Sequence, residues 1–132
     1  LELGSAWRLG GDAKLARWSQ FEGLADWEAI ARDEWTFAAG IERKLAFQPL
    51  RRGYTAPVRA GYSWRRWAYE VGGAPVDEQT WSIGTGFPLS NRMGTIDLGL
   101  SYFVLGDQAE NGWETRGWRL ALSVTGLERL IF

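Results

Sequence analysis

Hydrophobic and polar residues alternate with period two along most of this 132-residue chain, as expected of β-strands with one face toward an apolar medium and the other toward water. Residues 1–9 set Leu1, Leu3, Trp7 and Leu9 against Glu2, Gly4, Ala6 and Arg8. The GGDA run at 10–13 carries a hairpin signal leading into a weaker strand from Lys14 to about Phe21. After a break at 23–33, residues 35–45 set Trp35, Phe37, Ala39 and Ile41 against Thr36, Ala38, Gly40 and Glu42. Residues 57–67 place Val58, Ala60, Tyr62 and Trp64 opposite Arg59, Gly61 and Ser63, and a Gly72-Gly73-Ala74-Pro75 loop follows. Residues 80–87 oppose Trp81, Ile83, Thr85 and Phe87 to Ser82, Gly84 and Gly86, and residues 95–104 oppose Ile96, Leu98, Leu100 and Tyr102 to Asp97, Gly99 and Ser101. The closing segment, 115–132, sets Trp118, Leu120, Leu122 and Val124 against Arg119, Ala121, Ser123 and Thr125 and runs to Phe132. Seven strands are therefore predicted in one domain over 1–132.

Ser, Gly, Ala and single charges occupy the second face, which suits the hydrated or closely packed lumen of a transmembrane barrel. The reverse assignment, apolar face inward as in a soluble lipocalin-like barrel, stays open at this point. Connections at 22–33, 70–79 and 105–114 read as longer and polar, those at 10–13 and 88–94 as short. That alternation matches long extracellular loops and short periplasmic turns, with 46–56 as the exception. Residues 25–32 predict one or two helical turns from an Asp26 N-cap. Seven is an odd count, whereas single-chain bacterial barrels have even numbers, and unpaired edges in lipid cost several kcal/mol per backbone group. Strands outside this sequence, or another chain, are expected to complete the wall. The start at Leu1, without Met or a leader, gives the same expectation.

Composition sharpens the picture in two respects. Nine tryptophans and seventeen glycines fit an interfacial aromatic girdle and crowded, curved strands. The girdle residues predicted are Trp7, Trp35, Trp64, Trp67, Trp81 and Trp118, with Arg65 and Arg66 snorkelling beside them. Trp113, in the loop sequence ENGWE, is a candidate for surface contact. Fifteen basic residues against sixteen acidic ones give a net charge of −1, so no general attraction for nucleic acid is expected. The absence of His and Cys removes the usual general base, thiolate chemistry and the commonest zinc ligands. Gly84-Thr85-Gly86 lacks the Lys-Ser/Thr of a phosphate loop, and nothing marks Asp97 and Glu42 as an acid/base pair beside a sugar cleft. Neither an enzyme, a cofactor nor a metal is expected. The candidate lumenal residues are Glu42, Arg59, Asp97 and Arg119, near Ser82, Ser101 and Ser123. They read either as a wall that orients a ligand carboxylate through an arginine fork or as a ladder of ion pairs that fixes strand register.

Residues 81–132 carry, in order, G-x-G-F-P at 84–88, G-x-x-D-L-G-L-x-Y at 94–102, a polar loop, and a last strand ending ERLIF. Upstream, Pro57 to Tyr62 reads P-x-R-x-G-Y. In this order the motifs resemble the C-terminal strands of the FadL-type long-chain fatty-acid transporter family of outer-membrane β-barrels and its PorV-like relatives. The resemblance covers the second half of the chain well and the first half loosely. It implies an all-β, antiparallel up-and-down transmembrane barrel of fourteen strands, of which this chain supplies about the last half. It further implies residence in a bacterial outer membrane, passive passage of hydrophobic or amphipathic small molecules, and Phe132 as the C-terminal signal for the barrel-assembly machinery. PorV-like members act instead in secretion and attachment, for which the loops at 22–33 and 105–114 are the expected contact surfaces.

Overall fold

The computed structural model describes residues 2–3, 7–18, 32–46, 55–88 and 94–126. They form β1 (Glu2–Leu3), β2 (Trp7–Ala16), β3 (Glu34–Ala46), β4 (Thr55–Val71), β5 (Ala74–Pro88), β6 (Gly94–Leu105) and β7 (Thr115–Gly126). Strand order in the sheet equals order in the chain, and each neighbouring pair is antiparallel. The fold is all-β, one up-and-down sheet that is not closed, with β1 and β7 at its edges.

Register keeps like beside like. Leu9 lies opposite Ile41, Ile41 opposite Ala60, Ala60 opposite Ile83, Ile83 opposite Leu100 and Leu100 opposite Leu120. The next row toward the 106–114 loop holds Tyr62, Trp81, Tyr102 and Trp118 side by side. On the other face Gly40 lies opposite Gly61, Gly61 opposite Ser82 and Ser82 opposite Ser101. Large side chains thus crowd one face and small ones the other, so the sheet curls toward the small face. A single concavity of about 790 Å³ touches all six long strands there, from Gly10 on β2 to Ala121 on β7.

Nothing covers the large-residue face. Among the described residues the buried hydrophobic side chains are only Ala56 and Val76. Trp35, Phe37, Ile41, Val58, Tyr62, Trp81, Ile83, Leu98 and Leu100 are all exposed on the convex face, and on β7 Leu120 reaches 81%.

Two expectations about turns need correction. The GGDA run is not a hairpin: β2 passes straight through it, with Gly10, Gly11, Asp12 and Ala13 opposite Gly40, Ala39, Ala38 and Phe37. Neither Gly10 nor Gly11 adopts a positive φ. Ten ladder positions against β3 outweigh a local turn preference, and the alternation expected over 1–9 breaks where Leu3 pairs with Trp7. Likewise 70–79 is not a long loop. Gly72 and Gly73, at φ +67° and +82°, make the tight two-residue turn in which both central residues are left-handed. Val71 pairs with Ala74 directly across it. The helical turn expected at 25–32 lies outside the described residues except for Arg32, as does most of the turn at 88–94; Phe132 lies wholly outside them.

The extended β4–β5 hairpin is held by the loop between β6 and β7. Asn111, 6% exposed, places its amide nitrogen 3.2, 3.2 and 3.3 Å from the carbonyl oxygens of Val71, Ala74 and Pro75. Its side-chain oxygen accepts from the Asp107 amide at 2.9 Å, and the Gly106 amide donates to the Asp77 carbonyl. Asn111→Ala is expected to cost about 1–3 kcal/mol by stripping buried carbonyls of their donor. Gly73→Val should cost about 1–2 kcal/mol through φ alone, since a Cβ there meets nothing within 4 Å. Denaturant titration in detergent measures both, and faster hydrogen exchange at the Gly106 amide should accompany the first.

Candidate functional site

The concave face is organised as two tiers of ion pairs with a floor of small residues between them. The lower tier begins with Glu42 on β3, directly opposite Arg59 on β4. Arg59 donates from Nε to Glu42 Oε2 at 2.8 Å and from a terminal nitrogen to Asp97 Oδ1 at 2.9 Å. Asp97 sits on β6, two strands away. The pair can span β5 because β5 presents only Gly84 and Gly86 at that level, opposite Arg59 and Asp97 respectively. A Cβ on Gly86 would stand 2.7 Å from Asp97 Oδ1, so a side chain there would displace the carboxylate. Thr95 Oγ1 donates to the other Asp97 oxygen at 3.2 Å. Arg8 on β2 adds a looser contact to Glu42 at 3.6 Å.

The upper tier lies six positions along β4, about 20 Å at strand rise. Arg65 meets Glu34 at 2.7 Å and lies opposite Glu78. Arg119 reaches Glu78 at 2.9 Å and lies 4.0 Å over the Phe103 ring. Of the four lumenal candidates, the structure therefore brings Glu42, Arg59 and Asp97 together and places Arg119 in the other tier. Glu34, Glu78 and Arg8 complete the tiers and were not among the sequence candidates, and Arg65, expected to snorkel beside the girdle, is held by Glu34 instead. Glu78 falls in the segment expected to be a long loop, so its place on this face became visible only once β5 was seen to begin at Ala74.

Between the tiers the floor is Ala38, Gly40, Gly61 and Ser82, with Asp12 beside Ala38, while Gly84, Gly99 and Ala121 continue the Arg59 row. Beside it the Arg59 fork is spent on two protein carboxylates, the geometry of the register-fixing ladder. What the concavity offers a guest is a low floor of small residues with the Asp12 carboxylate on its β2 side. Among the described residues no group of acidic side chains is placed to hold a metal ion.

The predicted girdle residues divide. Trp118, Tyr102, Trp81 and Tyr62 contact in sequence across four strands at centroid separations of 5.0, 6.1 and 5.5 Å. Phe37 stacks between Trp35 and Trp64 at 5.9 and 5.7 Å. Trp7 lies toward the opposite end of the sheet, under the guanidinium of Arg43. Trp67 stands outside the row, because it follows Arg65, whose guanidinium covers its ring at 3.6 Å. A register shift between Arg66 and Glu70 accompanies this departure. Trp113 is half-buried and backs onto Gly106.

No protein-family model, curated protein or solved structure matches the chain. The site has to be read from its own geometry.

A double-mutant cycle between Arg59→Met and Glu42→Gln should give a coupling of about 0.5–1 kcal/mol, since the Arg59 side chain is nearly half exposed. A second cycle, between Arg59→Met and Asp97→Asn, should give a similar coupling that falls toward zero in a Gly86→Ala background, where the added Cβ displaces the Asp97 carboxylate.

Proposed function

We propose that this chain is part of the wall of an outer-membrane β-barrel, with lipid against its convex face and a hydrated lumen over its concave one. The wall serves the passive passage of hydrophobic or amphipathic small molecules. The observation that carries the reading is the uncovered apolar face: its side chains are aligned row on row and exposed, and a bilayer is the apolar medium that matches a continuous sheet surface. The direction of curl argues against a soluble barrel with this face inward, because the polar face is the concave one.

The aromatic band supports the same reading. Trp118, Tyr102, Trp81 and Tyr62 share a row that meets β3 at Ala39, and Trp35, Phe37 and Trp64 widen the band toward the 106–114 end of the sheet, as aromatic side chains gather at a membrane interface. Passage rather than chemistry is supported by the concave face, where Glu42 and Asp97 are both bound to Arg59 and Gly40, Gly61 and Ser82 leave a floor of small residues.

Leu120→Arg, at the middle of the convex aliphatic band, is expected to weaken insertion into vesicles by about 2–4 kcal/mol, whereas Ser123→Arg on the concave face should change it little. Equal effects of the two, or a stable folded monomer in detergent-free buffer, would overturn the membrane reading. For passage, vesicles carrying the assembled barrel should take up a fluorescent fatty acid faster than empty ones; equal uptake refutes that part alone.

A further inference from the structure

Five charged side chains line the concavity: Arg8 and Arg59 against Asp12, Glu42 and Asp97. Their pairing leaves one carboxylate over. Arg59 holds both Glu42 and Asp97, and Arg8 turns to Glu42 as well. Asp12, exposed on β2, forms no ion pair or side-chain hydrogen bond among the described residues. Register sets it opposite Ala38, four residues along β2 from Arg8, about 13 Å at strand rise. Lys14 and Lys44 share its face but do not line the concavity, and neither is paired with it.

We propose that the concavity selects amphipathic cations, with Asp12 as the counter-charge for an ammonium head and the row Gly40, Gly61 and Ser82 as the bed of its apolar body. The inference deepens the passage reading above and rests on it. From Gly10 on β2 to Ser82 on β5 that row crosses three strand spacings, about 14 Å, with no side chain larger than serine. An ammonium head needs acceptors, and the Asp12 carboxylate supplies them without giving up another partner. A guest carboxylate fares worse in the same place: Arg59 is already engaged at 2.8 and 2.9 Å, and Asp12 repels it. One unit charge met at contact distance in water changes occupancy about fivefold. Lys14, two residues along β2, is the opposing charge, so its removal should sharpen the preference.

The test uses the assembled barrel in vesicles of neutral lipid at low salt. A fluorescent alkyltrimethylammonium and the alkyl carboxylate of equal chain length serve as probes below saturation, each compared with empty vesicles. The cation should enter faster than the carboxylate, by a margin that narrows as salt is raised. Asp12→Asn should lower cation entry about fivefold and raise carboxylate entry by a similar factor, and Lys14→Gln should move both in the opposite sense. Because Asp12 is exposed and unpaired among the described residues, its substitution leaves the ladder intact, which circular dichroism verifies. Faster entry of the carboxylate, or rates unchanged in Asp12→Asn, would overturn the selection and leave passage standing. Entry of neither probe above empty vesicles would overturn passage and selection together.

Discussion

Everything in this molecule depends on the backbone ladder holding one phase from β2 to β7. Because side chains alternate, a slip of one residue at any strand pair would carry a whole set of large side chains onto the other face. The register shift between β4 and β5 falls between Arg66 and Glu70, beyond the aromatic row. Within the rows, Ile83 can therefore meet Leu100 and Gly84 can meet Gly99 without interruption. Curvature follows from this sorting: isoleucine, leucine and tryptophan take more room than glycine, alanine and serine, and a sheet loaded unequally bends toward its smaller face.

Alternation alone made most of this legible. The strands from β3 to β7 and the sides taken by Trp81, Leu100, Leu120, Arg59 and Asp97 all follow from a period of two. What alternation lacks is any account of partners. Gly10-Gly11-Asp12 has the composition of a turn, and only the ten positions offered by β3 keep it extended. Gly72-Gly73 has the same composition and does turn, because Val71 and Ala74 find each other across it. Asn111 illustrates the limit from the other side, since its three carbonyl partners lie 36 to 40 residues away in sequence. Arg119 was grouped with Arg59 by face, yet the register gives it Glu78.

The ion pairs and the glycines of the concave face are one arrangement rather than two. Arg59 reaches Asp97 only because Gly84 and Gly86 leave the intervening strand bare, and Gly86 is crowded only because the Asp97 carboxylate occupies the space of its missing side chain. Charges across such a face serve mainly to satisfy one another, and their value is in specifying which strand positions face each other. The floor left between the tiers is made of small side chains, Ala38, Gly40, Gly61 and Ser82, with the Asp12 carboxylate beside them on β2.

The same register bears on the outer edge of β7. Trp118, Leu120, Leu122 and Val124 are 69, 81, 66 and 63% exposed, above the convex residues of the inner strands, of which Ile83 reaches 61%, because they lack a neighbour on one side. The backbone of β7 is likewise paired only to β6, and an unpaired strand edge in hydrocarbon costs several kcal/mol per polar group. A bilayer can cover the convex side chains but cannot satisfy that edge. On the proposed membrane reading, a strand pairing with β7 would carry apolar residues opposite Leu120 and Leu122 and small ones opposite Ala121 and Ser123, extending both faces in phase.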